Sequence, residues 1–300
     1  MPRQFSIDTP ANFSFRHTVY SHGWSDLPPF EADEENDTLT CVLAAADGPV
    51  TAILSAGDLT IDVSLSRAVR RTERIAAALR HIFRFDEDLD KFYAMAAGVE
   101  GLNWACQTNA GRLLRSPTVY EDLVKTMCTT NCSWSLTKKM TANLVEKLGE
   151  QGRDDRRLFP SPEAMASVDE NFYRDEIRAG YRSPYFVELA EAVASGRLDP
   201  EMWLDREIPT AELRKTIKSV KGIGDYAADN LLKLLGRYDG LALDSWLRAG
   251  FYKKHNRGKA CDDKKIHKHY SKYGEWRGLA IWCDMTERWF EENGRSVEPK

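Results

Sequence analysis

The stretch SVKGIGDYAADNLLKLLGR, Ser219–Arg237, sets two glycines one residue apart between two runs of helical periodicity. Ahead of it TAELRKTIKS reads as a helix of ten residues, and after it DYAADNLLKLL resumes helix. Ile217, Val220, Ile223, Ala228, Leu231 and Leu232 give two short helices the apolar positions to pack on each other. Gly222 and Gly224 permit a turn too tight for a Cβ and leave backbone N–H groups open at the second helix's N-terminus. That is a phosphate cradle by geometry.

Two phosphate-binding loops fail on context. A dinucleotide fingerprint needs a preceding strand and a third glycine; here the preceding segment is helical and position 227 is Ala. A Walker A loop needs Gly-Lys-Ser/Thr, which is absent. Helix, Gly-x-Gly hairpin, helix is the helix-hairpin-helix pattern, which holds a DNA backbone and positions a protein without specifying bases. Lys221, Gly222, Ile223 and Gly224 are then the backbone-binding residues. An ordinary αα-turn is the alternative.

Toward the N-terminus the pattern is different. FSFRHTVY (13–20), DTLTCVLAA (37–45), PVTAILSAG (49–57) and LTIDVSL (59–65) read as strands separated by turn residues. They predict a small antiparallel sheet with one face to cover. From Ser66 onward the periodicity is helical, with helices expected over 66–83, 89–99, 118–129, 134–148, 210–219, 226–235, 244–251 and 276–292, among others. The expected class is α+β: an N-terminal antiparallel β-domain over 1–95, then a mostly helical domain over 96–300, with the hairpin at 213–235 and an aspartate loop at 240–246.

Composition sets bounds. The chain has 300 residues, 42% hydrophobic and 29% charged, with a formal net charge of −4, so global charge makes no case for nucleic acid. Charge is segregated, however. Lys253–Lys272 holds eight Lys or Arg, three His and only two Asp, a locally basic face on an acidic protein. No apolar run approaches the roughly 20 residues that span a bilayer, and no signal-peptide core stands at the start. A soluble, cytoplasmic protein, nucleoid-associated in a bacterial cell, is expected. The six cysteines form no CxxC pair, so neither a structural zinc nor a redox dithiol is expected.

Downstream of the hairpin, GLALDSWLRAGF (240–251) places Asp244 after an apolar run and at a helix start. Its carboxylate reads equally as an N-cap. A hairpin followed at this distance by an apolar-apolar-Asp resembles the helix-hairpin-helix (HhH-GPD) DNA glycosylase superfamily. VYEDLVKTMCTTNCSW (119–134), LFPSPEAMA (158–166) and AGYRSPYFVELAEAV (179–193) extend that resemblance toward the 8-oxoguanine branch. The N-terminal sheet matches the β-domain shared with 3-methyladenine DNA glycosylase II. The likeness spans roughly residues 10–292.

The resemblance implies a base-excision-repair enzyme that flips a damaged base from duplex DNA and breaks its N-glycosidic bond. Asp244 is then the catalytic carboxylate beside C1′, stabilising the positive charge that develops on the sugar and orienting water. Asn131 falls where the family faces the orphaned base, with Tyr181 and Arg182 flanking it; a capping Asn and a core Tyr are the alternatives. The position two past the second hairpin glycine is a Schiff-base lysine in the bifunctional branches. Here it is Tyr226, whose phenol forms no imine, so water is the expected nucleophile and the product an intact abasic site. Lys221 and Lys233 are near in sequence but not at that position.

For the base, the 8-oxoguanine branch reads its lesion with a Gln on the last helix. Laid over EWRGLAIWCDM (275–285), that position is Gly278, with Trp282 at the stacking position that follows. Tyr226, Trp246 and Trp282 then form an aromatic pocket, which favours a cationic alkylated purine through cation–π attraction. An 8-oxoguanine-type enzyme and a non-catalytic DNA-binding protein are the alternatives. Only Cys261 and Cys283 follow Asp244, so no iron–sulfur cluster is expected, nor any other cofactor or metal, save room for a monovalent cation at the hairpin. A monomer acting on double-stranded DNA is expected, with no membrane partner.

Overall fold

The computed structural model describes residues 3–291, so the ends of the two expected domains and the last residue of the helix expected over 276–292 lie outside the described residues. Five strands form one antiparallel sheet: β1 (Gln4–Asp8), β2 (Glu31–Asp33), β3 (Thr38–Ala45), β4 (Gly48–Ala56) and β5 (Thr60–Leu65), in the order β1-β5-β4-β3-β2. Alternation sets the register. Leu39 pairs Leu54, and Leu54 pairs Val63, so these side chains share the covered face. The helix Thr72–Ile82 supplies Ile75, Leu79 and Ile82 to the same core.

The stretch FSFRHTVY, expected as a strand, is instead a short helix, Phe15–Val19. Ser14 decides it. Its hydroxyl accepts the N–H of His17 at 3.3 Å, and its carbonyl accepts the Thr18 hydroxyl at 2.8 Å. A local cap overrides the β-propensity of the aromatic and branched residues around it. The first strand, Gln4–Asp8, lies ahead of the expected ones.

After the sheet the chain is helical, as expected from its periodicity. Trp134–Leu148 and Thr210–Ser219 have the expected bounds, and Thr118 and Ser133 cap the helices that follow them. Two apolar cores result. One joins the sheet to the helices Val119–Thr129 and Ser183–Ala194 and to both hairpin helices. The other joins residues 89–110 to Tyr238, Leu247, Phe251 and the last helix, Arg277–Glu291. Trp282 packs against both.

A set of buried arginines ties the second hairpin helix, Asp225–Leu234, in place. Arg84 donates to the carbonyl of Lys233 at 2.9 Å and Arg115 to that of Leu234 at 2.6 Å. These are among the last carbonyls of the helix, which lack partners of their own, so cations at this end satisfy them and complement the helix dipole. Glu87 pairs with Arg84, and Arg206 reaches it at 2.9 Å. Among the described residues no helix is long and apolar enough to cross a membrane.

Candidate functional site

The hairpin forms as its spacing predicts. Ile217, Val220, Ile223, Ala228, Leu231 and Leu232 are all buried. Arg214 bridges to Asp225 at 2.8 Å and to Asp229 at 2.6 Å, joining the two helices across the turn. The two glycines have different reasons to be there. Gly222 has φ +88°, and a Cβ on it would meet the Tyr185 ring at 2.7 Å. Gly224 has φ −91°, caps the second helix, is exposed, and a Cβ on it would meet nothing within 4 Å. Of the two glycines expected to permit a turn too tight for a Cβ, only Gly222 does so. The bare Gly224 leaves the helix N-terminus open to a ligand approaching from solvent. Lys221 is exposed beside it and pairs with Glu188 at 2.6 Å.

Asp244 is the N-cap of the helix Ser245–His255, and its carboxylate also lines a cavity. Its Oδ1 accepts the N–H of Leu247 at 2.7 Å, while its Oδ2 accepts the Tyr226 hydroxyl at 3.3 Å. Burial, and then the negative charge of Asp244, push the Tyr226 phenol far above its ordinary range, so it stays protonated and donates. Both residues line a cavity of about 860 Å³, within the size range of small-molecule sites, about 300–1,000 Å³.

That cavity gathers Asn131, Tyr226, Asp244, Trp246 and Trp282 of the expected site residues. Trp246 and Trp282 have ring centres 6.0 Å apart, and Trp289 stands 5.2 Å from Trp246. Trp282 is anchored by its indole N–H, which donates to the Ser21 carbonyl at 3.0 Å. Gly278 does not line the cavity. A Cβ there would lie 2.1 Å from the Gly240 carbonyl oxygen, so no glutamine fits the position the resemblance assigns to a base reader.

Asn131, Tyr181 and Arg182 gather around Thr130, with the Arg182 guanidinium 4.5 Å from the centre of the Tyr181 ring and the Tyr181 hydroxyl 3.2 Å from the Thr130 carbonyl. Asn131 is exposed at φ +46°, and its amide is 3.5 Å from the Tyr181 hydroxyl. Tyr181 is 52% exposed, which removes the core-tyrosine reading. Arg182, expected to flank Asn131 with Tyr181, is 3% exposed and donates to the carbonyl and hydroxyl of Thr130. It braces the turn that presents Asn131 instead of facing solvent.

Sequence reading missed four contributors. His22 lines the cavity with its Nε2 2.8 Å from the Leu114 carbonyl, and burial holds its pKa down to about 4, so the ring is neutral. Trp24 donates its indole N–H to Asp122 at 2.7 Å. Trp134 forms a further aromatic wall. Most consequential is Lys233, which does not stand at the Schiff-base position. It is 2% exposed, lines the cavity, and holds its ammonium 4.8 Å from the centre of the Trp282 ring. Burial brings its pKa down to about 8 against the pull of Asp244 and Asp229.

The basic run lies outside the cavity, on the helices Ser245–His255 and Asp263–Tyr270. Lys253, Lys264, Lys268 and Lys272 are exposed, whereas Lys254 is taken up by Asp284 and Glu287, each at 2.8 Å. His255, His269 and Asp284 bring potential ligand atoms within 4.8 Å of one another. Asp284 already accepts from His255 at 2.6 Å, Tyr270 at 2.5 Å and Lys254, a satisfied network.

No family model matches this sequence, and no curated protein matches it. The fold is nevertheless shared with solved structures over nearly the full chain. MBOgg1, in complex with a low-affinity DNA ligand, is 20% identical, with TM-score 0.77 over 97% of this chain and 98% of that one. The 3-methyladenine DNA glycosylase of Archaeoglobus fulgidus is 18% identical, with TM-score 0.76 over 96% and 99%. The 8-oxoguanine glycosylase/lyase of Clostridium acetobutylicum, bound to duplex DNA with cytosine opposite 8-oxoguanine, is 17% identical, with TM-score 0.75 over 96% of each chain. The α+β fold expected from the resemblance is the fold found.

Proposed function

We propose that this chain is a DNA N-glycosylase of base excision repair, which takes a damaged purine flipped out of duplex DNA and hydrolyses its bond to the sugar. The observation that carries the reading is the placement of Asp244. It stands in the wall of a large aromatic cavity, one oxygen fixed as a helix cap and the other turned to Tyr226, beside a hairpin with an open helix N-terminus. Of the three solved structures quoted above, two are named as glycosylases and two hold DNA.

In the reaction the C1′–N bond breaks and its electron pair leaves with the base. Positive charge builds on the sugar, and the carboxylate of Asp244 stabilises it in a site of reduced dielectric. Water then bonds to C1′ and gives up a proton, for which Asp244 is the acceptor. Tyr226 keeps the carboxylate oriented and supplies no amine. Hydrolysis without a covalent enzyme intermediate follows, leaving an intact abasic site. The hairpin backbone, Lys221 and the exposed lysines hold phosphates, and Asn131 with the exposed Tyr181 fills the gap in the stack.

The aromatic walls suit a flat purine. Those rings by themselves favour an alkylated, cationic one; the ammonium of Lys233 on Trp282 argues the other way. The test is incubation with duplexes that each carry one lesion, followed by alkali. Strand cleavage only after alkali supports hydrolysis to an abasic site. Cleavage without alkali, together with borohydride trapping of a protein–DNA adduct, contradicts the water mechanism.

A further inference from the structure

Lys233 is the only lysine among the described residues that line the cavity. Long cationic side chains are almost never fully buried without a partner, yet this one, 2% exposed, has no carboxylate in ion-pair contact among the described residues. Its ammonium rests on the face of Trp282 at 4.8 Å, attracted by Asp244 and Asp229 but outside ion-pair distance of either. The backbone beneath it is held by Arg84 on its own carbonyl, so the residue is fixed in place. A charge kept at such a site implies a guest that needs it.

Its position says which part of the guest it meets. Tyr226 and Lys233 are seven residues apart on one helix face, about 10 Å along the axis. The Tyr226 end carries the contact to Asp244 and so marks the sugar; the Lys233 end lies beyond it, against Trp282, on the side left for the base.

We propose that Lys233 sets the substrate class: its ammonium donates to a carbonyl oxygen or ring nitrogen of a neutral base and excludes bases that carry positive charge. This rests on the glycosylase reading above. When the glycosidic bond breaks, a neutral base leaves with the electron pair as an anion, and a donor cation beside it stabilises that charge. A cationic alkylated base leaves neutral and gains nothing from the ammonium, which also repels it in the ground state. The Trp282 face that a cationic base would use is occupied by the protein's own cation. Deaminated and oxidised purines, which present a carbonyl on the edge away from the sugar, are the class that fits.

The test uses the full chain, with Lys233→Met and Lys233→Gln, in two independent measurements. Binding of 9-methylhypoxanthine and of the 7,9-dimethyladeninium cation is followed by quenching of tryptophan fluorescence, which needs no catalysis. Excision is followed under single turnover on duplexes bearing hypoxanthine or 7-methylguanine. Wild type is expected to bind the neutral base about tenfold or more tighter than the cation. Lys233→Met is expected to erase that preference and slow hypoxanthine release about 10- to 100-fold without slowing 7-methylguanine. Lys233→Gln, which keeps a donor but no charge, is expected to retain neutral-base binding and admit the cation. Equal binding of both probes by wild type and variants, or wild-type preference for the cation, overturns the proposal while leaving the glycosylase reading intact. Selective binding with no excision of any lesion sinks the glycosylase reading and leaves the assignment of Lys233 standing. An adduct trapped in wild type and absent from Lys233→Met places the amine at C1′ and also overturns it.

Discussion

The Tyr226 hydroxyl donates to Asp244 Oδ2 across 3.3 Å while Asp244 Oδ1 accepts the N–H of Leu247 at 2.7 Å. One carboxylate thus starts a helix and faces the cavity. The two duties separate by substitution. Asp244→Asn keeps an oxygen able to cap, so stability should change by less than about 0.5 kcal/mol. Excision should still fall by about 10²- to 10⁴-fold, because the charge is gone. Asp244→Ala should lose the same activity and about 1 kcal/mol of stability besides. Urea denaturation of both variants, set beside their excision rates, checks the separation.

The hairpin glycines should also part. Gly222→Ala forces a Cβ to φ +88° against the Tyr185 ring 2.7 Å away, and should cost about 1–3 kcal/mol. Gly224→Ala meets no neighbour and should leave stability within about 0.5 kcal/mol. Its methyl instead crowds a phosphate arriving at the helix N-terminus, so duplex affinity should drop. Melting temperatures and Kd for an undamaged duplex distinguish the two.

Lys233 should be kept at a cost in stability. Replacing a buried ammonium with an apolar side chain of similar length, Lys233→Met, should stabilise the protein at neutral pH by about 1–3 kcal/mol. The pH dependence follows from the pKa being lowered to about 8 from 10.5, set by burial against Asp244, Asp229 and Cys283, with neutral His22 lining the same cavity. Between those values the unfolded chain binds the proton that the folded chain has lost, so wild-type stability rises with pH across that window. Below it the lysine is charged in both states and its contribution is flat. The difference between variant and wild type should therefore shrink as pH climbs past about 8. Denaturation curves on either side of that value measure it.

Much of this was legible where the signal is local. The glycine spacing, the apolar positions of the hairpin and the Asp244 helix start each lie within a few residues of one another, and the fold followed from them. What was not legible depends on segments far apart in the chain. Lys233 looked irrelevant because it missed the position of a Schiff-base lysine, but the helix turns it into the cavity beside Trp282. His22 and Trp24 reach the same cavity from the N-terminal segment, with no pattern to announce it. Arg84, Arg112 and Arg115 carry no local signal of burial, yet they are among the largest fully buried side chains, because helix-end and loop carbonyls need donors. Tyr181 and Arg182 are adjacent in sequence and both reach Thr130, yet one is half exposed and the other buried.

Affinity for undamaged duplex should be strongly salt-dependent despite the net charge of −4, because the basic run concentrates its lysines on one face. Each phosphate neutralised contributes about 0.9 to the slope of log affinity against log salt. Lys264→Ala and Lys268→Ala should each lower that slope by about one without altering lesion preference. Lys254→Ala should leave the slope unchanged and lower stability, since Lys254 is held by Asp284 and Glu287. Titrations across salt concentrations give the slopes.

The most direct measurement of the central claim is base release from single-lesion duplexes by wild type and Asp244→Asn, read as strand breaks after alkali. Alkali-labile abasic sites are expected with wild type on at least one lesion, and their near-complete loss with Asp244→Asn although the variant still binds the duplex. Release by Asp244→Asn at the wild-type rate, or no release by wild type from any lesion in the panel, would contradict the claim.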